Sequence, residues 1–308
     1  MKYVFFGTPE FAATILEKLI DVGYIPEAVV CNPDEPIGRK QILTPPSAKI
    51  MAEKFNISVF QPLKLRDNLE FFDWIKKLKP DLAIIAAYGK IVPKEILGIP
   101  IYGFINVHGS LLPAYRGASP IQSTILNGDE ETGITLIKLD EKMDHGPVLG
   151  KSEIRISKSE TYDTLSAKLA EAGAELLIKT IPDYIAGKIK LTEQSHAEAT
   201  YAGIIKKEDG KINWLKSAEE IERMVRAFYP WPTAWTIWNE KTLKILEAIT
   251  SSGDNKKTGE VFLKNSELAI KCGVGVLVVK KLQLEGGKIL TAKDFLNGHK
   301  NFVGNIFS

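Results

Sequence analysis

The stretch KYVFFGTPEFAATILEKLIDVG, residues 2–23, decides which fold class the sequence predicts for the first half of the chain. Its apolar start, residues 2–6, predicts a buried strand, and the apolar positions after Pro9 recur at the spacing of a helix. Thr8 can cap that helix with Pro9 in its first turn, and Gly23 can end it. The chain is therefore expected to open with a strand, a turn and a helix.

The same alternation continues to about residue 187. We predict further strands at residues 25–31, 82–87, 103–107 and 134–139, and helices at 46–55, 69–78, 118–126 and 161–187. Strands that alternate with helices favour a mostly parallel sheet with helices on both faces. The first half of the chain is therefore predicted to be an α/β domain.

The pattern changes after a polar stretch that ends near residue 210. One helix is predicted at residues 218–228, and short strands at 236–238, 243–248, 259–263, 268–272, 275–279 and 280–284. Short strands at this spacing indicate a small barrel or sandwich. Five aromatic residues could stack on nucleic-acid bases, but a small domain needs large core residues, so we expect them in the core: Phe228, Tyr229, Trp231, Trp235 and Trp238.

Composition excludes several classes of protein. A chain of 308 residues, 44% of them hydrophobic, is long enough for two domains and too apolar for disorder. Its longest apolar runs fall far short of the roughly 20 residues that cross a bilayer. The N-terminus carries no cleavable apolar region, so we expect a cytoplasmic protein without a membrane segment. Cys31 and Cys272 are far apart, which predicts two buried thiols rather than a disulfide or a zinc site.

Charge is distributed unevenly along the chain. Residues 1–204 carry 23 basic and 26 acidic side chains, a balance of −3, whereas residues 205–308 carry 17 and 12, a balance of +5. A basic second half is compatible with a polyanionic partner such as a nucleic acid, but many small domains carry this charge for solubility. The charge alone leaves both interpretations open.

Loops that follow parallel strands are the first places to look for a ligand site. The first such loop, residues 7–11, has one glycine and a proline where a dinucleotide fingerprint needs several glycines and a free backbone amide. This pattern disfavours a nicotinamide-dependent oxidoreductase.

The stretch INVHGSLLPAYRGASPIQ, residues 105–122, is richer in polar groups. Asn106 and His108 are two residues apart, so on a strand they project from the same face. Asp144, in another loop after a strand, could orient the imidazole ring. Spacing alone also allows three structural roles: backbone bonds for Asn106, a half-buried hydrogen-bonded ring for His108, and a turn cap for Asp144.

Five segments together resemble the methionyl-tRNA formyltransferase family. They are FFGTPEFA (5–12), AYGKIVP (87–93), INVHGSLLP with YRGASPIQ (105–122), MDHGP (143–147) and RAFYPWPTAW (226–235). The Asn-x-His and Asp elements alone would also fit other folate-dependent formyltransferases, and RAFYPWPTAW separates the tRNA enzymes from them. The resemblance spans both predicted domains.

The resemblance implies a fold, a reaction and a set of site residues. It implies a Rossmann-like formyltransferase domain at 1–189, a linker at 190–205, and an open OB-like β-barrel domain at 206–308 that helps to bind tRNA. The reaction would move a formyl group from 10-formyltetrahydrofolate to the α-amine of methionyl initiator tRNA. The family's catalytic positions correspond to Asn106, His108 and Asp144, and its folate-binding positions to Ser110, Leu111, Leu112, Pro113 and Tyr88.

The implied tRNA contacts are basic residues. Arg39 and Lys40 lie in the long loop between residues 31 and 48, and Lys206 and Lys207 lie at the end of the linker. Several positions depart from the family pattern and leave the strength of tRNA binding open: Gln41, Ile42, Ala114, His145 and Ile204.

Two alternative functions remain beside formylation of methionyl initiator tRNA. One is a folate-dependent formyltransferase for an amino-sugar nucleotide or another small amine, and the other is an RNA-binding module without activity. The amine substrate is partly neutral near pH 7, so the reaction needs no metal. We expect a monomer.

Overall fold

The computed structural model describes residues 1–38 and 41–307, which form two compact units. Unit 1 contains Met1–Pro120, Glu131–Arg155 and Ser166–Gly203, and unit 2 contains Ile121–Glu130, Ile156–Leu165 and Ile204–Ser308. Residues 190–203, predicted as most of the linker, belong to unit 1. The predicted boundaries at 189 and 206 stay a prediction.

The described strands and helices are named here in chain order. The strands are β1 (Tyr3–Gly7), β2 (Ala28–Val30), β3 (Glu35–Ile37), β4 (Ile42–Thr44), β5 (Ser58–Phe60), β6 (Leu82–Ala86), β7 (Phe104–His108), β8 (Arg116–Gly117), β9 (Glu131–Lys138), β10 (Val148–Arg155), β11 (Tyr201–Ala202), β12 (Ala234–Trp238), β13 (Lys241–Ser251), β14 (Val261–Lys264), β15 (Glu267–Lys271), β16 (Val276–Leu284) and β17 (Ile289–Thr291). The helices are α1 (Glu10–Asp21), α2 (Ser47–Lys54), α3 (Leu69–Leu78), α4 (Lys94–Leu97), α5 (Pro120–Asn127), α6 (Tyr162–Ile185), α7 (Ala218–Ala227) and α8 (Ala292–Gly298).

Unit 1 is built on a seven-stranded sheet in the order β10-β9-β7-β6-β1-β2-β5. Strands β5, β2, β1, β6 and β7 are mutually parallel, whereas β9 and β10 run antiparallel to their neighbours. Numbered along the chain, the parallel strands have the order 3-2-1-4-5 of a Rossmann-like sheet. The predicted α/β domain with a mostly parallel sheet is confirmed.

The central strands are buried because both faces of the sheet are covered. Every residue of β1, β6 and β7 is buried, which explains their nearly continuous apolar sequences. Phe6 of β1 packs edge-on against Phe71 and Tyr88, with ring centroids 6.2 and 5.5 Å apart, and its ring also contacts Phe104 at 5.4 Å. Asn106 and His108 are the only polar side chains on β7.

The last three strands place a loop beside β7. Strand β9 pairs with β7 so that Asn106 lies opposite Ile137 and His108 opposite Thr135. Strand β10 then returns antiparallel to β9. The connection between them, residues 139–147, carries Asp144 and lies beside the polar face of β7.

The long loop after β2 contains a short hairpin, since β3 pairs with β4. Ile42 and Leu43 of β4 are exposed. Arg39 and Lys40, predicted as tRNA contacts, lie outside the described residues.

Unit 2 contains a six-stranded antiparallel sheet in the order β12-β13-β16-β15-β14, with β17 also paired to β16. This confirms the predicted C-terminal β domain and shows that its sheet is antiparallel. The two strands predicted at 275–279 and 280–284 are one continuous strand, β16. Strand β17 and helix α8 have no counterpart in the prediction.

The core of unit 2 uses some of the predicted aromatic residues. Trp238 is buried against Phe295 and Phe302, with ring centroids 5.9 and 5.0 Å apart. Phe228 is also buried, but Trp231 is 56% exposed, so its assignment to the core was wrong. In the parts of the chain that the structure describes, no helix is both long and apolar enough to cross a membrane.

Candidate active site

Three polar side chains converge at the edge of β7. Asn106 donates a hydrogen bond from Nδ2 to Oδ1 of Asp144 at 3.2 Å. Nδ1 of His108 lies 3.5 Å from the same carboxylate oxygen. Asn106 and His108 are 8% and 5% exposed, so both are largely withdrawn from solvent. The structure thus brings together the three residues predicted to be catalytic.

The second ring nitrogen of His108 also faces an oxygen atom. Nε2 lies 2.9 Å from the backbone carbonyl oxygen of Tyr115, which can only accept, so Nε2 carries a hydrogen. Nδ1 faces a carboxylate that also accepts unless it is protonated. The two nitrogens of the ring therefore face two different oxygen atoms, which fixes the orientation of the ring.

The Asp144 carboxylate is held on its other side by a backbone amide. Oδ2 accepts a hydrogen bond from the Gly117 N–H at 2.8 Å. Gly117 has φ of +115°, and a Cβ atom there would lie 2.4 Å from the carbonyl oxygen of Ala202. Only glycine fits this approach between β8 and β11 without strain. The hydrogen bond from the backbone amide to Asp144 Oδ2 thus depends on having glycine at position 117.

The backbone around Asp144 is held by a buried glutamine. Gln194 Nε2 donates to the carbonyl oxygens of Asp144 and Gly146, at 2.9 and 2.7 Å. Its Oε1 accepts from Nε and Nη2 of Arg116, at 3.2 and 2.7 Å. Arg116 is 2% exposed and Gln194 is 7% exposed. A buried polar chain therefore connects Arg116 to the Asp144 loop.

Two histidines lie at the outer end of this chain. The rings of His145 and His196 are stacked, with centroids 3.9 Å apart, and His145 Nδ1 lies 2.6 Å from Asp140 Oδ2. Arg116 Nη2 lies 2.8 Å from His196 Nδ1. Partial desolvation, together with the neighbouring His145 and Arg116, lowers the pKa of His196 below its ordinary value.

The predicted folate-contacting turn, residues 110–113, is fastened to β9. Thr135 Oγ1 donates to the Ser110 carbonyl oxygen at 2.7 Å and accepts from the Leu112 amide at 3.0 Å. The side chains of Ser110 and Leu112 are fully buried, whereas Leu111 and Pro113 are partly exposed. Of these four side chains, Leu111 and Pro113 are thus the two open to a ligand, and a folate-binding role for the turn stays a prediction.

Tyr88 was also predicted to contact folate, but its ring lies in the core. It is 1% exposed, and its hydroxyl has no hydrogen-bond partner among the described residues. Burial raises the pKa of this phenol. Asn32 Nδ2 donates to the Tyr88 carbonyl oxygen at 3.3 Å. Direct contact with a ligand would therefore involve the backbone near Tyr88 rather than its ring.

Neither cysteine takes part in the site. Cys31 and Cys272 are both buried and unpaired, as their spacing predicted, and burial raises the pKa of each thiol to about 11. Within residues 1–38 and 41–307, no group of three or more His, Cys, Asp or Glu side chains is arranged to hold a metal ion.

The two predicted tRNA contacts that the structure describes lie in unit 2. Lys206 and Lys207 are exposed, and neither amine forms an ion pair with another described residue. The carbonyl oxygen of Lys207 accepts from Trp235 Nε1 at 3.2 Å, which fixes the backbone and leaves the amine available. Their role in binding tRNA stays a prediction.

Sequence reasoning missed three residues that build the site. The carbonyl of Tyr115 and the amide of Gly117 act through the backbone, so their residue types carry little signal. Gln194 lies in a polar stretch that resembles an ordinary connection. Only the glycine at 117 could have indicated a close approach, since glycine in a loop often marks one.

Similarities to known proteins agree with this geometry. A family model described as Formyl transferase matches residues 1–181, and one described as Formyl transferase, C-terminal domain, matches residues 204–300. A methionyl-tRNA formyltransferase of Caldicellulosiruptor saccharolyticus is 46% identical over 313 residues, covering 100% of both chains.

Solved structures show the same fold at lower identity. A HypX variant from Aquifex aeolicus has a TM-score of 0.68 at 17% identity, over 98% of this chain and 50% of HypX. The N-formyltransferase from Helicobacter canadensis, solved with folinic acid and dTDP-3-aminofucose, has a TM-score of 0.66 at 21% identity, over 91% of this chain and 99% of that one. Full-length similarity at 46% identity, both family models and the shared fold lead to one conclusion: the chain belongs to the methionyl-tRNA formyltransferase family.

Proposed function

We propose that this protein transfers the formyl group of 10-formyltetrahydrofolate to the α-amino group of methionyl initiator tRNA. The observation that carries the proposal is the convergence of Asn106, His108 and Asp144, with Asp144 Oδ1 within 3.5 Å of both partners. These three groups lie in a chain that matches, over its full length, a relative named methionyl-tRNA formyltransferase.

The site residues fit the chemistry of an N-formyl group. Attack by an amine turns the formyl oxygen negative, the amine must lose a proton, and the departing nitrogen must gain one. An amide N–H, an imidazole that can give and take a proton, and a carboxylate can meet these needs without a metal. The folate supplies the formyl group on its N10 nitrogen, and this chain supplies the hydrogen bonds and the proton path.

Asn106 stabilises the negative formyl oxygen. Its Nδ2 carries two hydrogens, and one of them already donates to Asp144. The other has no acceptor among the described residues, so it can donate to the oxyanion. One donor of this kind is worth about 10²–10³ in rate, because it is oriented before the charge develops.

His108 moves the proton. Nδ1 faces Asp144, so Nε2 is the nitrogen left for the substrate. When substrate binds, Nε2–H donates to the formyl oxygen or the departing nitrogen in place of the Tyr115 carbonyl oxygen. This exchange between two acceptors costs little because one hydrogen bond replaces another. The Nε2 proton passes to the departing nitrogen as the bond between the formyl carbon and N10 breaks, and Nε2 then takes the proton that the attacking amine loses. A proton shuttle of this type contributes about 10²–10⁴ in rate.

Asp144 keeps the other two groups in place. Its Oδ1 accepts from Asn106 and faces the His108 ring, and its Oδ2 accepts from Gly117. A carboxylate in this position fixes which ring nitrogen faces the substrate. We therefore assign it the role of orienting the ring.

The tRNA is held by basic residues of unit 2 and of the loop after β2. Lys206 and Lys207 are exposed without ion pairs to described residues, and residues 205–308 carry a balance of +5. Arg39 and Lys40 are proposed to add contacts. Binding through lysines that neutralise phosphates weakens steeply as salt rises.

The remaining proposals concern the setting of the reaction. All three proposed catalytic groups belong to unit 1 of one chain, which supports action as a monomer. An aminoacylated tRNA as the substrate supports a cytoplasmic location. We keep the domain boundaries 1–189, 190–205 and 206–308 as a proposal.

A direct comparison of substrates tests the proposed function. The protein is mixed with 10-formyltetrahydrofolate and either methionyl initiator tRNA or a dTDP-amino sugar, and each product is analysed by mass spectrometry. We expect formylated methionyl-tRNA and no formylated sugar. Formylation of the sugar alone would establish the amino-sugar alternative, and no formylation of either would favour an RNA-binding module.

A further inference from the structure

The loop that carries Asp144 adopts a backbone conformation that requires support. Asp144 has φ of +47°, in the left-handed region that residues with a side chain occupy at a cost. This conformation directs the carboxylate toward Asn106 and His108. It also directs the carbonyl oxygens of Asp144 and Gly146 to one point, where Gln194 Nε2 donates to both.

The orientation of the Gln194 amide is determined by its partners. Its two N–H groups face two carbonyl oxygens, and its oxygen faces two donors of the Arg116 guanidinium. A flipped amide would place oxygen against oxygen and hydrogen against hydrogen, so only one orientation satisfies every group.

The backbone on both sides of Gln194 is also fixed to unit 1. Thr192 and Val148 exchange backbone hydrogen bonds of 2.8 and 3.0 Å. Thr200 accepts from the amide of Arg116 through its carbonyl and from the amide of Tyr115 through its hydroxyl, at 2.8 and 2.9 Å. Gln194 is therefore a rigid part of the site, although its stretch of sequence was predicted to be a linker.

We infer that Gln194 is a positioning residue of the formyl-transfer site, which holds the Asp144 carboxylate beside His108 through the backbone of residues 144–146. Arg116 acts behind it by fixing the Gln194 amide. Gln194 is buried and both ends of its amide are engaged by protein groups, so its loss lowers the rate of the chemical step rather than substrate binding. The inference rests on the proposed function, since it assigns Gln194 a role in that reaction.

Two substitutions separate the donor role of Gln194 from its bulk. Gln194→Glu keeps the shape and the acceptor for Arg116 but removes both donors to the carbonyl oxygens. Gln194→Ala removes the whole side chain. The matched control is Tyr184→Phe. It removes a 2.7 Å hydrogen bond from the Tyr184 hydroxyl to the backbone carbonyl oxygen of Tyr102, which lies just before the start of β7.

The experiment measures kcat and KM for formylation of methionyl-tRNA, the melting temperature, and amide hydrogen exchange of residues 140–147 in the full-length chain. For both Gln194 variants we expect kcat to fall roughly 10- to 100-fold with KM within about twofold, because a small misplacement of a catalytic group has this effect. Exchange in the loop should rise. Tyr184→Phe should leave kcat and loop exchange unchanged.

Two results would overturn the inference. One is an unchanged kcat in Gln194→Glu. The other is a loss of activity that follows a lowered melting temperature and disappears on cooling, since that result assigns Gln194 a purely structural role. Failure of the proposed function would give a different result from failure of this inference. The unsubstituted protein would then not formylate methionyl-tRNA, whereas amide hydrogen exchange of residues 140–147 would still report on the Gln194 contacts.

Discussion

The Asp144 site in unit 1 and the lysine pair of unit 2 show opposite ways of using polar groups. Asp144 is surrounded by Asn106, His108 and Gly117, and its own backbone is held by Gln194. Lys206 and Lys207 extend into solvent without ion pairs to any residue that the structure describes.

The difference follows from what each region has to recognise. A reacting carbon needs groups fixed to within a fraction of an ångström, which requires burial and mutual hydrogen bonds. A phosphate backbone presents repeated charges, and flexible exposed amines meet them at low cost. We therefore expect substitutions in the first region to change kcat and those in the second to change KM and salt dependence.

The largest effect should come from the groups that contact the formyl oxygen. Asn106→Ala and His108→Ala should each lower kcat by at least about 10²-fold and leave folate binding largely intact, because they act on charge that develops only in the transition state. Rapid-quench kinetics and folate titration give the two quantities. Asn68→Ala, which removes an amide that caps α3, is the control and should keep full turnover. Near-normal turnover in either site variant would remove that residue from the mechanism.

The next effect should come from the glycine behind Asp144. Gly117→Ala places a Cβ against the Ala202 carbonyl oxygen and should lower kcat by roughly 10-fold or more, because the amide that donates to Asp144 is displaced. Gly23→Ala is a matched control: Gly23 has φ of +85°, but a Cβ there meets nothing within 4 Å. That control should cost stability by about 1 kcal/mol and leave kcat unchanged. Equal loss of kcat in both variants would contradict the role of Gly117.

Much of the fold could be predicted because its signals are local. The apolar run of β1 and the period of α1 lie within about twenty residues of sequence. The predicted Thr8 cap was wrong: Pro9 is the N-cap residue of α1, and Thr8 Oγ1 instead accepts from the Asn32 amide at 3.3 Å. Strand β16 was divided in two because its lysine pair at 280–281 interrupts the apolar pattern, although the backbone continues through it. A sequence pattern predicts which segments form strands more reliably than it predicts where each strand ends.

The site was only partly predictable for a different reason. Asn106 and His108 share a strand, so their common face follows from the period of two. Asp144 was placed with them by family resemblance, since spacing alone left its partners open. Gln194 lies 50 residues beyond Asp144 and contacts backbone atoms, so neither periodicity nor residue type indicates it.

A smaller effect is expected from the lysine pair. Lys206→Ala with Lys207→Ala should raise KM for tRNA several-fold, leave kcat unchanged and reduce the slope of log KM against log salt by roughly one to two, because about two phosphate contacts are lost. Lys280→Ala with Lys281→Ala is the matched control, since those amines pair with Glu267 and Glu247. A salt slope that is the same in both double variants would assign tRNA binding to other residues.

The smallest effect concerns the pH dependence of stability. The pKa of His196 is lowered in the folded protein, so the unfolded chain, with an ordinary value of 6.5, binds this proton more readily. The resulting stability is complete above about pH 6.5 and is lost as pH falls toward the lower folded value. When the pH is lowered from about 7.5 to about 5.5, the melting temperature should therefore fall less in His196→Asn than in the unsubstituted protein. The two falls should differ by less than about 2 °C. A steeper loss in the variant would show the opposite sign.

One measurement tests the difference between the two regions most directly. Formylation of methionyl initiator tRNA is followed as a function of tRNA concentration for His108→Ala and for the double variant of Lys206 and Lys207. We predict that the first loses kcat by at least about 10²-fold at nearly constant KM, whereas the second loses affinity at nearly constant kcat. The reverse assignment, or a loss of both quantities together in each variant, would contradict the account.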